Sequence, residues 1–356
     1  MTDPSSVSLG IVGLGNIARI HCDALESQGL GDVVTAGVDV DADARAAFET
    51  EYDVSVSADP EPVFEAVDAV MVTTPNRYHE EYVVAALEAG LDVLVQKPLA
   101  DDLAGAERIA AAARSAPGFC MVGFHNRFAS PVRTLAAYRE RGTLGTVSHV
   151  EANYVRRRGI PNRGSWFTQA DVAGGGSLID IGVHAIDLSL SLLGDPDVVE
   201  VSGTTRSEFG SRPDYGNVRA WRADEGEGGF DVDDSASAFV RCANGATISL
   251  EVAWATNRPD SKEYYVRGDA GGARLDLGDG SLTLYETADV GGIHHRTTDV
   301  ETAPNDPHAV EARRFVEAVA AGESPAVNTV EQALTVQRVV DGIYRSSEAG
   351  AAVGIE

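Results

Sequence analysis

The chain is almost without lysine. Only Lys97 and Lys262 occur among its 28 Lys and Arg residues, against 55 Asp and Glu, which leaves a net charge of −27 and a pI near 4.5. Nucleic acid needs a basic footprint, so none is expected as a partner. No stretch approaches the roughly 18 uninterrupted apolar residues of a membrane helix, so no membrane association is expected. The first residues, MTDPSSVSLG, lack a basic segment followed by an apolar one, and a cytoplasmic protein is expected. The three cysteines, Cys22, Cys120 and Cys242, lie far apart and show neither CxxC nor Cys/His spacing. That excludes a disulfide framework and gives no support for a metal site; they read as small buried hydrophobes in a reducing compartment. There is no internal repeat of 20–50 residues and no long low-complexity linker.

What is present is ordinary for a globular chain: 356 residues, 44% hydrophobic and 23% charged. At about 150 residues per domain the length points to two domains, each able to bury a core without covalent staples. An acid surplus with almost no lysine is similar to the proteins of salt-in halophiles, where molar salt screens self-repulsion. An acidic chain from a GC-rich genome is the alternative.

Residues 8–122 alternate short apolar runs with amphipathic stretches. SLGIVGLG, VVTAGVDV, DAVMVTTP, LDVLVQKP and FCMVGF read as strands, with helices between them such as NIARIHCDALESQ and RYHEEYVVAALEAG. Such alternation implies a parallel sheet covered on both faces. After about residue 124 the texture changes to strands joined by tight turns, as in SASAFVRCANGATISLEVAWAT. This predicts a mainly antiparallel sheet with one open face. Helices LIDIGVHAIDLSLSLLG, HAVEARRFVEAVAAG and VEQALTVQRVVDGIYRSSEAG accompany it, and ADEGEGGFDVDD (223–234) reads as a surface loop. The expected fold is therefore α/β. It has a Rossmann dinucleotide-binding domain at 1–124 and an α+β substrate-binding and oligomerisation domain at 125–356.

Gly13-Leu14-Gly15-Asn16-Ile17-Ala18 is a GxGxxA run that follows a strand, opens a helix, and precedes Asp39 at the end of the next strand. Gly13 permits the tight turn and Gly15 lets backbone approach a pyrophosphate. Ala18 is small enough for helix–strand packing, and the helix N-terminus offers N–H groups. Asp39 should accept ribose hydroxyls, and with Asp41 should repel a 2′-phosphate. NAD is thus expected over NADP, although Arg45 could reach back and keeps NADP open.

Lys97 ends a buried strand in a chain that otherwise uses arginine. Lysine can shift its pKa and transfer a proton where arginine cannot, and strand carboxyl ends are where such sheets bind ligands. Asp180 and His184, four apart, share one face of a helix. The acid can orient the imidazole and set its tautomer; capping by Asp180 and a core role for His184 is the alternative. The preceding Gly174–Gly176 allows close approach of backbone to a ligand.

Together with Thr74-Pro75-Asn76-Arg77-Tyr78-His79, Gln96-Lys97-Pro98 and Gly174 to Asp187, the N-terminal fingerprint resembles the Gfo/Idh/MocA oxidoreductase family, which includes glucose-fructose oxidoreductase and inositol dehydrogenase. The resemblance runs nearly end to end, through Asn126-Arg127-Phe128 and EARRFVEAVAAGESPAV. One departure is visible: the family usually has Glu before Lys-Pro, and this chain has Gln96. The resemblance implies that Lys97, Asp180 and His184 are the catalytic set. It also implies that Thr74, Pro75, Asn76 and His79 lie by the nicotinamide ribose, with capping by Asn76 as an alternative. Substrate contacts are expected from Lys97, Asn126, Arg127, Asp180 and His184, with Arg127 equally readable as structural. Arg156-Arg157-Arg158 is the one basic cluster, and Arg156 is a candidate for an anionic substrate group or a subunit contact. Trp166 is a candidate stacking platform or a core residue. His294 and His295 read as exposed loop residues, and His308 precedes a helix.

The implied function is NAD(P)-dependent oxidation of a secondary hydroxyl on a sugar, cyclitol or related polyol, in a homodimer or homotetramer. Two other readings stay open: a redox-neutral NAD-dependent glycosidase-like enzyme, and a non-catalytic NAD-binding sensor.

Overall fold

The computed structural model describes residues 3–216 and 229–355. They form two compact units. The first comprises the chain up to Phe128 together with Asp306–Leu334, and the second comprises Ala129–Asn305 with the remainder from Thr335.

In the first unit, β1 (Leu9–Val12), β2 (Val34–Val38), β3 (Ser55–Ser57), β4 (Ala69–Val72), β5 (Asp92–Val95) and β6 (Cys120–Val122) form a sheet in the order β3-β2-β1-β4-β5-β6. Every pairing is parallel. Helices α1 (Asn16–Ser27), α2 (Ala42–Tyr52), α3 (Glu61–Phe64), α4 (His79–Glu88) and α5 (Leu103–Ser115) make the crossovers. β1 and β4 are buried along their whole length, as strands covered on both faces must be. Asp41 and Asp102 cap α2 and α5 by accepting from backbone N–H groups of the first turn. Strand order reverses between β1 and β4, which opens a crevice at their carboxyl ends.

The second unit starts with α6 (Ser130–Glu140), a helix whose apolar residues Val132 and Leu135 are buried. Its sheet combines β7 (Val147–Val155), β8 (Val198–Arg206), β9 (Ser235–Cys242), β10 (Thr247–Ala253), β11 (Ser261–Gly268), β12 (Gly271–Asp276), β13 (Ser281–Asp289), β14 (Ile293–Val300) and β15 (Val353–Gly354). The order is β14-β13-β12-β11-β7-β10-β9-β8-β15. All pairs are antiparallel except β7 with β10. α7 (Ala170–Ala173) and α8 (Val183–Leu193) lie between β7 and β8 in sequence, and α8 packs on β7. In β11, Tyr264 is buried and Tyr265 exposed, the alternation of a sheet with one open face. His294 and His295, read from sequence as loop residues, stand on the exposed edge strand β14. The segment Ala170–Leu193 is long and apolar enough to cross a membrane by composition, yet 89% of its apolar window is buried inside the fold, as in a core helix.

The units divide differently from the sequence-based boundary at 124. Helix α9 (Pro307–Ala321) belongs to the first unit, where Ala312, Phe315 and Val316 join a core with Leu14, Ala18, Leu25, Phe48 and Met71. The N–H of Val122 donates to the carbonyl of Asn328, so this returning segment extends the hydrogen bonding of β6. α10 (Val330–Ala349) follows. The amphipathic pattern of α9 announces a helix; it does not announce which sheet the apolar face will cover. The three cysteines are buried and free, and burial pushes the thiols of Cys22 and Cys120 up to about 12.

Candidate active site and cofactor-binding turn

The glycine turn of the first unit is built to be approached from outside. Gly13 has φ +91°, and a Cβ there would lie 2.8 Å from the Thr74 backbone nitrogen, so only glycine fits. A Cβ on Gly15 would meet nothing within 4 Å. Among the described residues no side chain caps the start of α1, so its first-turn N–H groups remain available to an acceptor. Asn16 is exposed and Ile17 half-buried at this entrance. One carboxylate oxygen of Asp39 accepts from Leu14 N at 2.7 Å and the other from Asp41 N at 2.9 Å. Arg45 does reach back, donating to the Asp39 carbonyl at 2.7 Å. The hydroxyl of Thr74 is buried with no hydrogen-bond partner among the described residues. Open N–H groups, a fixed carboxylate and an orphaned hydroxyl fit the pyrophosphate and ribose of a dinucleotide.

Lys97 lies two residues beyond the end of β5 and is half-buried, at the start of a cis Lys97–Pro98 bond. Pro75 precedes a short turn, Asn76–Tyr78, in which Asn76 is buried. His79 is also buried, and both ring nitrogens face backbone carbonyls: Nδ1 lies 2.8 Å from that of Pro98 and Nε2 3.0 Å from that of Thr74. Burial lowers its pKa against the raising effect of those carbonyls. His79 thus ties the Thr74 turn to the Lys97 loop, making it a positioning residue for both. Gln96, the departure from the expected glutamate, places its side-chain amide 2.7 Å from Nε2 of buried His21. Burial, reinforced by His308, pushes His21 down to about 3. Asn126 and Arg127 are buried in a turn, His125–Phe128, that follows β6.

In the second unit, Asp180 and His184 do not share a regular α-helix. Leu178–Gly182 is a π-helical turn that runs into α8. Such turns are rare and recur at functional sites. Asp233 anchors it. One of its oxygens accepts from Gly176 N (2.9 Å) and Tyr344 OH (2.7 Å), the other from Ser177 Oγ (2.7 Å) and Leu178 N (2.9 Å). A Cβ on Gly176 would fall 1.8 Å from the Asp233 carbonyl, and one on Gly175 would fall 2.1 Å from the Tyr344 hydroxyl. These two glycines therefore admit the protein's own groups, which corrects the expectation that the run admits a ligand. The reading of 223–234 as a surface loop is corrected in part as well. Residues 223–228 lie outside the described residues, while Val232, Asp233 and Asp234 are buried. Asp234 accepts from the N–H groups of Phe209 and Gly210.

Asp180 accepts from Trp254 Nε1 at 2.9 Å, and that indole is fully buried. The three arginines that follow β7 go different ways. Arg157 is exposed, and Arg158 is engaged by the carbonyls of Arg157 and Thr256 and stacked over Phe209. Arg156 lies over the Tyr154 ring, as does the ammonium of Lys262 at 4.9 Å. Burial raises the Tyr154 pKa, but Lys262 and Arg156 outweigh it and hold the phenol below its ordinary value. Trp166 is half-buried and stacked on Phe167 with ring centroids 3.8 Å apart. His184 is buried on α8. Sequence reasoning missed Asp233, Trp254 and Tyr154. Of these, only Tyr154 stands next to a candidate in the sequence, two positions before Arg156 at the end of β7.

Two family models match. Residues 7–124 fit the oxidoreductase family's NAD-binding Rossmann fold, and residues 132–274 fit the GFO/IDH/MocA C-terminal domain. The D-glucoside 3-dehydrogenase of Escherichia coli is 29% identical over 354 residues, 98% of this chain and 97% of that one. The inositol 2-dehydrogenase of Acidiphilium cryptum is 30% identical over 276 residues, 74% and 77% of the two chains. Among solved structures, levoglucosan dehydrogenase in complex with NADH and levoglucosan shares the fold, with a TM-score of 0.84, 22% identity and 98% and 99% of the chains covered. Two matched domains, relatives aligned along most of their length and a glycine turn shaped for a dinucleotide agree: the chain belongs to the Gfo/Idh/MocA family of NAD-binding oxidoreductases.

Proposed function

We propose that this protein is an NAD-dependent dehydrogenase that oxidises a secondary hydroxyl of a sugar, cyclitol or related polyol. The observation that carries the proposal is the construction around Asp180 and His184. The segment Gly176–Leu178 that opens the π turn donates three hydrogen bonds to one buried carboxylate, which Tyr344 also bonds, and Asp180 accepts from a buried indole. This buried polar structure anchors the backbone that leads to both titratable residues and holds Asp180 by a hydrogen bond of its own, the preorganisation that acid–base work requires. The relatives' names, D-glucoside 3-dehydrogenase and inositol 2-dehydrogenase, support the substrate class.

NAD, when bound, supplies the hydride acceptor. His184 accepts the proton of the substrate hydroxyl as general base. Lys97 donates a hydrogen bond to the same oxygen and stabilises its developing negative charge. Asp180 orients His184 or a second substrate hydroxyl. Asp39 selects NAD over NADP by its charge, as a carboxylate beside the ribose disfavours a 2′-phosphate. Asn126, Arg127, Arg156 and Trp166 are proposed to shape the substrate's surroundings. The open sheet face, with Phe239, Tyr265 and Tyr285 exposed, is proposed to form a homodimer or homotetramer. The composition favours a cytoplasmic setting of high salt.

The test is nicotinamide reduction in molar KCl with NAD and NADP separately, against aldoses, inositols and sugar acids. NADH formation with one stereochemical series is expected, and Lys97→Met or His184→Asn should cut turnover by about 10²–10⁴-fold with NAD still bound. Wild-type turnover in both variants would overturn the assignment. Substrate conversion without net NADH would indicate redox-neutral chemistry instead.

A further inference from the structure

We propose that His21, His308 and Glu311 form a buried binding site for a divalent transition-metal ion of the zinc class. The three side chains offer ligand atoms that lie within 4.8 Å of one another, close enough to converge on one ion with small side-chain adjustments. His308 and Glu311 are three apart on α9, the spacing that puts two ligands on one helical face. His21 comes from α1, which packs on α9. His21 and Glu311 have no exposed surface.

The surroundings match what metal ligands need. A ligating imidazole commonly donates its other N–H to a carbonyl or carboxylate, which fixes the tautomer. The Gln96 amide stands 2.7 Å from Nε2 of His21. The Gln96 atom nearest the ring is the amide nitrogen; turning that amide over presents its carbonyl instead, so that Nε2–H donates and Nδ1 keeps its lone pair for the ion. Nδ1 of His21 is buried and has no hydrogen-bond partner among the described residues. Asn328 Nδ2 donates to the Glu311 carboxylate at 3.2 Å, orienting it in the same way. Two imidazoles and one carboxylate are a zinc-type donor set, whereas calcium and magnesium prefer oxygen alone. The ion's role is to clamp α9 to α1 and, through His21 and Gln96, to steady the residue beside Lys97. This inference is independent of which substrate the enzyme uses.

The experiment uses the full chain without a polyhistidine tag. Metal content is measured by plasma mass spectrometry, and thermal unfolding is followed with a chelator and with added zinc chloride. About one ion per chain is expected, with a Tm that falls on chelation and returns with zinc. Glu311→Gln, which keeps the side chain's shape, should lower zinc content at least about tenfold and make the Tm indifferent to chelator. Should that variant fail to fold, the wild-type zinc titration still decides. Wild-type protein with negligible metal and a Tm unmoved by zinc overturns the proposal, as does full metal retention in Glu311→Gln.

Discussion

Two glycine-rich turns open helices in this molecule, and they do opposite things. The turn at Gly13–Gly15 leaves its helix start uncapped and the space over Gly15 clear. The turn at Gly174–Gly176 leads into a helix whose first N–H groups are already taken by Asp233, and its glycines make room for Tyr344 and the Asp233 backbone. Glycine in both cases permits a close approach. What approaches is decided by whether the protein supplies its own anion. The first turn leaves its N–H groups for an anion from outside, the phosphate site proposed above; the second takes an internal carboxylate, and its glycines make room for the protein's own groups.

The comparison can be broken most forcefully at Asp233. Asp233→Ala strands several buried donors, and urea unfolding should show a loss of about 3–5 kcal/mol. Turnover should fall while NAD affinity, a property of the other turn, is unchanged. Equal loss of NAD affinity would show that the two turns are not independent. Next come the glycines themselves. Gly176→Ala forces a Cβ into backbone and should cost about 2–3 kcal/mol of stability. Gly15→Ala should leave unfolding within about 0.5 kcal/mol of wild type, yet raise the Kd for NAD at least about tenfold, near 1.4 kcal/mol. If Gly15→Ala binds NAD normally, the open space there is not the phosphate site. Asp39→Asn should shift the ratio of NADP to NAD efficiency upward by about tenfold, again near 1.4 kcal/mol, read from kcat/KM with each cofactor. The smallest effect is expected for Trp254→Phe. It removes one hydrogen bond to Asp180 and should lower kcat about fivefold, near 1 kcal/mol, with the KM for NAD unmoved.

The first turn was legible in the sequence because everything it needs is local. Strand, glycines, helix and Asp39 fall within about thirty residues, and each enforces the next. The second turn was half legible. Asp180 and His184 stand out by spacing and by family resemblance, but the acid that holds them comes 53 residues after Asp180 in a run whose composition reads as solvated loop. Burial of Asp233 is a tertiary fact; an isolated DVDD carries no sign of it. The π turn is equally silent, since the spacing of Asp180 and His184 reads the same for a regular helix. Trp254 is plain as a strand-end aromatic, while its hydrogen bond to Asp180 depends on how the π turn lies against β10. His79 looked like a cofactor ligand because it sits in the right motif, and the structure shows its ring consumed by two carbonyls.

The return of Asp306–Leu334 to the first unit also governs how the protein is made. A nascent chain that has just produced β6 still lacks the helix bearing Phe315 and Val316 and the carbonyl of Asn328 that receives Val122 N–H. About 180 residues of the second unit must be translated first, which takes roughly 10–35 seconds at typical ribosome speeds. During that interval the nucleotide-binding sheet exists with part of its core exposed. The second unit waits as well, since Tyr344, which bonds Asp233, and β15 are synthesised last. A cofactor-binding fragment cut at residue 124 would be caught in that incomplete state, and a workable one has to carry 306–334 joined back onto it.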